Sequence, residues 1–471
     1  MIEDYFADQI KLNFPHEPTL DQENALMALA RFLTNRDSRS VFVLRGYAGT
    51  GKTSLIAALA RTMDVLKQKV VLMAPTGRAA KVFSLYSDHP SFTIHKRIYR
   101  QKRFTGEMDN FQLNVNLSKH TLYVVDEASM IANARGGHGF GTGRLLDDLI
   151  EYVYSGEGCR LLLMGDTAQL PPIGEEMGIA LSKGVLHGYD LTVHEADLKQ
   201  VVRQFDTSGI LHNATSLRMA INNEDCFEPP VIHVSGFEDM QSISGADLIE
   251  SIADCYNHSG MDQTIIITRS NKRAHVYNMG IRNTILNYED ELCSGDILMV
   301  AKNNYYWLRD NKNIEFIANG DLCIVRRVRN TRSLYGFRFA DATLCFHDYD
   351  DLEIEATILL DTLHSEAPAL TEEQNKQLFQ NILADYADVP LKADRMKKLK
   401  EDPYYNALQI KYGYAITCHK AQGGQWENVF LDQGYMPDEN ITPDYYHWLY
   451  TALTRATEKL YLVNFPEKRV D

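Results

Sequence analysis

The sequence predicts an α/β protein of two parallel-sheet units, interrupted by a β-hairpin and by a small inserted domain. Three observations predict it. Short apolar runs recur through the first 170 residues, at Val41-Phe42-Val43-Leu44, Val70-Val71-Leu72-Met73, Thr121-Leu122-Tyr123-Val124-Val125 and Leu161-Leu162-Leu163-Met164. Each ends in a polar or glycine-rich turn, and helix-patterned stretches such as 53–66 lie between some of them. Buried runs alternating with helices mark a parallel sheet covered on both faces. A second series follows at Thr264-Ile265-Ile266-Ile267, Val429-Phe430-Leu431 and Leu460-Tyr461-Leu462-Val463, which gives the second unit.

Composition agrees with this size of protein. At roughly 150 residues per domain, 471 residues make about three domains or two large ones with insertions. A hydrophobic share of 45% and a charged share of 24% exclude wholesale disorder. The net charge of −15 excludes a general polycation but leaves room for a local basic groove. No apolar run reaches the ~18 residues of a membrane span, and the opening residues lack a basic-then-apolar leader. The seven cysteines show no CxxC spacing and read as reduced thiols. The expectation is a soluble cytoplasmic protein, nucleoid-associated in a prokaryote, with no membrane partner.

The first chemistry-bearing element is Gly46-Tyr47-Ala48-Gly49-Thr50-Gly51-Lys52-Thr53, which fits GxxxxGK[ST] after one apolar run and at a helix start. Its glycines let backbone N–H groups approach phosphates, and the helix N-terminus adds its positive end. Lys52 would reach the β/γ-phosphates and Thr53 would ligate Mg²⁺. Asp126-Glu127 follows the run at 121–125: Asp126 would hold Mg²⁺ and Glu127 would polarise the attacking water. Asn271-Lys272-Arg273-Ala274 lacks the aspartate of a guanine reader, so ATP is favoured over GTP.

Residues 99–116 predict a hairpin, with Phe111, Leu113 and Val115 alternating with polar residues after a Thr105-Gly106 turn. Residues 331–408 mix short strands with an acidic helical stretch at 371–386 and a basic cluster at 392–400, and read as a small inserted domain. Gly136-Gly137-His138-Gly139-Phe140-Gly141 reads as a loop.

Further strand ends resemble, in order, the motifs of superfamily 1 helicases of the 5′→3′ branch, the RecD-like, Dda-like and PIF-type proteins. Thr19-Leu20-Asp21-Gln22 resembles the glutamine motif, residues 74–81 (Ala-Pro-Thr-Gly-Arg-Ala-Ala-Lys) motif Ia, and Thr93-Ile94-His95 motif Ib. Residues 165–172 (Gly-Asp-Thr-Ala-Gln-Leu-Pro-Pro) resemble motif III, 198–203 motif IV, 417–423 (Thr-Cys-His-Lys-Ala-Gln-Gly) motif V, and 450–456 (Tyr-Thr-Ala-Leu-Thr-Arg-Ala) motif VI. One departure stands out: Gly424-Gln425-Trp426 lacks the glutamate some members place near the ribose.

The resemblance implies two tandem RecA-like domains, 1–190 with the hairpin at about 99–120, and 191–330 with 409–471; residues 331–408 become an SH3-like domain. It implies an ATP- and Mg²⁺-dependent DNA helicase, a monomer moving 5′→3′ on single strands and opening single-strand/duplex junctions with a hairpin wedge. Catalysis would fall to Lys52, Asp126, Glu127, the sensor Gln169 and two arginines, Arg203 and Arg455. The nucleotide would also meet Gln22, the loop Gly46 to Thr53, and Gly423. DNA would meet Pro75, Thr76, Arg78, Thr93, His95, Phe104, Thr417, His419 and Lys420, although His95 and His419 also fit packed core positions. Tyr305, Tyr306 and Trp307 could stack on bases, but core packing suits them better. Two rival readings stand beside this one: a translocase that strips proteins without unwinding, and an ATP-gated DNA-binding module.

Overall fold

The computed structural model describes residues 2–101, 111–133, 142–172, 174–175, 178–200, 207–309, 311, 314 and 316–471. Phe104, Arg203 and the glycine-rich stretch lie outside the described residues.

The first unit runs α1 (Ile2–Leu12), α2 (Leu20–Thr34), β1 (Ser40–Gly46), α3 (Lys52–Val65), β2 (Lys69–Ala74), α4 (Gly77–Ser87), β3 (Ser91–Thr93) and α5 (Ile94–Ile98). The hairpin strands β4 (Tyr99–Gln101) and β5 (Phe111–Leu113) follow, then β6 (Thr121–Val125), α6 (Leu145–Ser155), β7 (Arg160–Gly165), α7 (Lys183–His187) and β8 (Thr192–Leu198). Six strands form one sheet in the order β3-β2-β6-β7-β1-β8, every pair parallel. Because side chains alternate along a strand, the sheet feeds two cores. Phe42, Leu44, Val124 and Leu162 pack with α2 and α3 on one face. Val41, Val43, Val125 and Leu163 pack with α6 on the other.

The second unit contains α8 (Gly209–Asn222), β9 (Met240–Ile243), α9 (Leu248–His258), β10 (Thr264–Thr268) and α10 (Asn271–Gly280). A barrel then interrupts it: β11 (Ile297–Val300), β12 (Leu322–Leu334), β13 (Phe337–Phe346), β14 (Leu352–Leu359), α11 (Asp361–His364), α12 (Glu372–Asp385), α13 (Lys392–Lys400) and β15 (Leu408–Tyr412). The unit resumes with β16 (Ala415–Thr417), α14 (Cys418–Ala421), β17 (Trp426–Asp432), α15 (Pro443–Leu453) and β18 (Ala456–Val463). Its parallel sheet runs β16-β10-β17-β18-β9.

Two predicted boundaries move. Residues 192–198 pair with β1 along their whole length, so the first unit extends past 190. The inserted domain is a closed five-stranded barrel that starts at Ile297 and closes at Tyr412, not 331–408, because β15 pairs with both β11 and β14. The hairpin is present in its stem, where Tyr99, Arg100 and Gln101 face Leu113, Gln112 and Phe111; residues 102–110, and any wedge there, lie outside the described residues. Phe111 packs on Tyr305 with ring centroids 4.6 Å apart, and Trp307 Nε1 donates to the Asn406 carbonyl, so these aromatics do pack internally.

The barrel is seated on the first turn of α4. The Tyr349 hydroxyl donates to Asp321 (2.6 Å), and a Cβ on Gly77 would lie 2.5 Å from that hydroxyl and 2.9 Å from Asp321 Oδ1. Burial pushes the Asp321 carboxyl up to about 7, against the pull of Tyr349 and the Ala318 amide. A folded value above the unfolded one means stability present in acid and lost as pH rises through about 7. Asp321→Asn, which cannot ionise, is therefore expected to gain on the parent between pH 5 and pH 8, by on the order of a few kcal/mol. Thermal unfolding at both pH values checks it; an identical difference at each would contradict a buried ionising carboxyl.

Candidate nucleotide site and nucleic-acid edge

The phosphate-binding loop forms because β1 ends in glycine and the chain must turn sharply into α3. Gly49 and Gly51 take φ of +76° and +81°, a region that disfavours side chains. A Cβ on Gly46 would lie 2.9 Å from both Lys52 Cγ and Thr50 Oγ1. Gly51 caps α3 without any side-chain bond, which leaves the first-turn amides for an anion. Lys52 Nζ donates to the carbonyls of Gly46 (2.6 Å) and Tyr47 (3.0 Å), holding its charge inside the loop. Thr53 follows on the first turn of α3.

Gln22, expected at the nucleotide, also ties two segments of the chain together. It is fully buried, and its side-chain oxygen accepts from the Thr19 amide (2.9 Å) while Nε2 donates to the Thr50 carbonyl (3.0 Å). Both ends of the amide are engaged, so Gln22 fastens the start of α2 to the phosphate-binding loop.

Asp126 and Glu127 stand at the carboxyl end of β6, and β7 lies between that strand and β1. The Glu127 amide donates to Asp126 Oδ1 (2.7 Å), and Glu127 adopts φ +50°, costly for a non-glycine residue and typical of a functional constraint. Burial first, then the Glu127 charge, raises the Asp126 carboxyl, while Lys52 lowers it. Two crowded acids in a buried corner suit a divalent cation. Gln169, at the end of β7, is 7% exposed and its Oε1 has no hydrogen-bond partner. This orphaned acceptor, the uncapped α3 amides and the paired carboxylates together fit a magnesium nucleotide.

The loop after β7 is held from the second unit at four points. The Tyr450 hydroxyl donates to Asp166 Oδ2 (2.6 Å) and accepts from the Ala48 amide of the phosphate-binding loop (3.1 Å). The Leu170 amide donates to Thr451 Oγ1 (2.7 Å), and its carbonyl accepts from Gln422 Nε2 (2.7 Å). The His447 ring meets the Ala168 carbonyl at 2.9 Å. Four residues beyond Thr451, Arg455 is 4% exposed and bonds the carbonyls of Thr451 (3.0 Å) and Gly424 (3.3 Å). Among the described residues it has no carboxylate partner, and a buried guanidinium without one favours an approaching anion.

Arg78, expected on DNA, makes contacts across the two units. Its guanidinium lies 4.0 Å over the Trp426 ring and donates to the Gln425 carbonyl (3.3 Å), joining α4 to β17 of the second unit. A Cβ on Gly424 would sit 2.6 Å from Trp426 and 2.9 Å from Arg78 Nε, so glycine there leaves room for the stack. Gly423, assigned to the nucleotide, instead presses on α4: a Cβ there would lie 2.8 Å from Ala79 and 3.4 Å from Thr76.

The remaining candidates for DNA stand where strands pass into helices. Pro75 and Thr76 link β2 to α4, and Thr76 Oγ1 accepts from the Ala79 amide (3.2 Å). Thr93 caps α5 in the same way through the Lys96 amide (3.1 Å), whereas Thr417 makes no side-chain cap to α14. Burial pushes His95, beside the Tyr99 ring, down to about 4, and lowers His419. Both imidazoles are neutral at pH 7 and suit hydrogen bonding more than charge pairing. Lys420 falls to about 8 by burial and donates to Asn319. The sequence reading missed Tyr450, Thr451, Gln422 and His447 as site residues, although three of them lie inside the motifs it quoted.

Comparison with known proteins finds matches along both units. A family model described as an AAA domain matches residues 20–225, and a UvrD-like helicase C-terminal domain matches 412–463. An uncharacterised protein of Acanthamoeba polyphaga mimivirus is 24% identical over 90% of this chain and 96% of its own length. The ATP-dependent RecD2 DNA helicase of Deinococcus radiodurans is 24% identical over 89% of this chain; the chain spans 46% of that protein. A crystal structure of Pif1 helicase from Bacteroides with ADP-AlF3 and single-stranded DNA is 14% identical, with a TM-score of 0.47 over 97% of this chain and 95% of that one. No described helix is long and apolar enough to cross a membrane. An AAA-type domain and a UvrD-like helicase C-terminal domain thus match, in that order, the parts of the chain that carry its phosphate-binding loop and its last two motifs.

Proposed function

We propose that the protein is an ATP-driven DNA helicase that moves 5′→3′ along single strands and opens duplex at a junction. One observation carries the reading: the 166–170 loop, between the P-loop strand and the Asp126-Glu127 strand, is bonded to Tyr450, Thr451, Gln422 and His447 of the second unit. Any change at the nucleotide that moves this loop pulls on the second unit. In this reading Lys52 binds the β/γ-phosphates, Thr53 and Asp126 hold Mg²⁺, and Glu127 orients the attacking water. Arg203 and Arg455 stabilise the charge that develops on the γ-phosphate. Bound Mg²⁺ supplies Lewis-acid neutralisation of phosphate charge. Gln169 reports the γ-phosphate state through the 166–170 loop.

DNA in this reading runs past Thr76, Thr93, His95, Thr417, His419 and Lys420, which offer backbone-directed donors. Single-strand affinity is expected to fall steeply with added salt despite the acidic chain, as phosphate contacts release counterions. Fluorescence anisotropy of a labelled oligonucleotide checks it, and a salt-independent affinity would contradict the reading. Phe104, beside the Thr105-Gly106 pair in sequence, would cap the last base pair in this reading. Replacing 102–112 with a short glycine linker should abolish unwinding and spare DNA-stimulated ATPase; loss of both activities would assign the hairpin to folding.

Steady-state ATPase with and without single-stranded DNA tests the function itself. Multiple turnovers stimulated by DNA are expected. Single-turnover binding without hydrolysis would favour an ATP-gated binding module, and stimulated turnover without strand separation would favour a translocase.

A further inference from the structure

The phosphate-binding loop is gripped by a second-unit helix that no motif includes. Arg218 and Asn222 lie four residues apart on α8 and so share one face. The Arg218 guanidinium lies 4.3 Å over the Tyr47 ring, and Asn222 Nδ2 donates to the Tyr47 hydroxyl at 2.8 Å. Tyr47 is also the organising residue of the loop's backbone. Its carbonyl accepts from Lys52 Nζ (3.0 Å), Thr50 Oγ1 (2.8 Å) and the Thr50 amide (3.3 Å). The side chain is thus fixed from the second unit while the carbonyl shapes the loop that carries the lysine. Tyr450 adds a grip one residue later, at the Ala48 amide. Among the described residues Arg218 forms no ion pair; its guanidinium rests on the Tyr47 ring and its charge also reaches Tyr450.

We propose that Arg218 and Asn222 are positioning residues for nucleotide binding: through Tyr47 they hold the phosphate-binding loop in its receiving shape, so affinity for a nucleoside triphosphate depends on α8. The proposal rests on the ATP reading above. A loop held in shape beforehand loses less freedom when it binds, and a cation over a ring plus one hydrogen bond are worth about tenfold in affinity. A structural role for α8 would lower thermal stability and leave KM alone. A positioning role raises KM and moves kcat much less.

The test is steady-state hydrolysis of Mg-ATP by the full chain and its variants, with thermal unfolding alongside. Arg218→Ala is expected to raise KM about threefold to fivefold, and Arg218→Lys, which keeps a cation over the ring, to recover most of that loss. Tyr47→Phe and Asn222→Ala remove the same hydrogen bond, so each should raise KM severalfold and the double variant no further. Should Arg218→Ala fail to fold, the Tyr47→Phe and Asn222→Ala cycle carries the test alone. KM indistinguishable from the parent in the folded variants, or additive effects of Tyr47→Phe and Asn222→Ala, would overturn the proposal. A parent protein that neither binds nor hydrolyses ATP would overturn the functional reading instead.

Discussion

Lys52→Ala is expected to abolish measurable ATP hydrolysis and to weaken nucleotide binding by an order of magnitude or more. The ammonium group is the one side-chain charge inside the loop, and it lies on the carbonyls of Gly46 and Tyr47 at 2.6 and 3.0 Å. An alanine there removes the cation that meets the β/γ-phosphates, and the remaining backbone amides cannot replace a full charge. The fold should survive. The loop keeps the Thr50 bonds to Tyr47, and α3 keeps its apolar face of Leu55, Ile56 and Leu59 in the core. Near-normal turnover in a folded Lys52→Ala protein would sink the phosphate-loop assignment.

Arg455→Ala is expected to lower kcat by roughly 10³-fold while leaving ATP binding nearly intact. The argument is geometric and electrostatic. The side chain projects from the end of α15, the helix whose Tyr450 and Thr451 contact the phosphate-binding loop and the 166–170 loop. Its guanidinium is buried on neutral acceptors, Thr451 O, Gly424 O and Thr454 Oγ1, with no carboxylate partner among the described residues. Charge held this way is free to act on an anion that gains charge in the transition state. If KM rises and kcat holds, the arginine is only a ground-state phosphate contact.

The parts of the site that were legible in the sequence are those whose geometry is local. Residues 46–53 form a loop from their own glycines, and Asp126-Glu127 follows a strand that any apolar run of that length would form. What escaped the sequence depends on pairings between distant residues. Tyr450 meets Ala48 across 402 positions, and Arg78 meets Gln425 across 347. No periodicity reports such contacts, so the packing of Arg78 on Trp426 and of Gly423 on α4 did not show in the sequence. The barrel was misplaced for the same reason. Its first strand, at 297–300, is closed by 408–412, and neither run shows in the sequence what it will pair with. Gln22 is a subtler case. Its motif was visible, but the bonds that tie it to Thr19 and to Thr50, 28 positions on, were not.

The central claim is that nucleotide hydrolysis in the first unit drives strand separation. The most direct measurement is ATP-dependent unwinding of three short duplexes, one with a 5′ single-stranded tail, one with a 3′ tail and one blunt. The account predicts separation of the 5′-tailed duplex, dependent on ATP and Mg²⁺ and lost in Lys52→Ala, with little or none for the other two. Separation of the 3′-tailed duplex alone would contradict the direction, and no ATP-dependent separation of any substrate would contradict the claim itself.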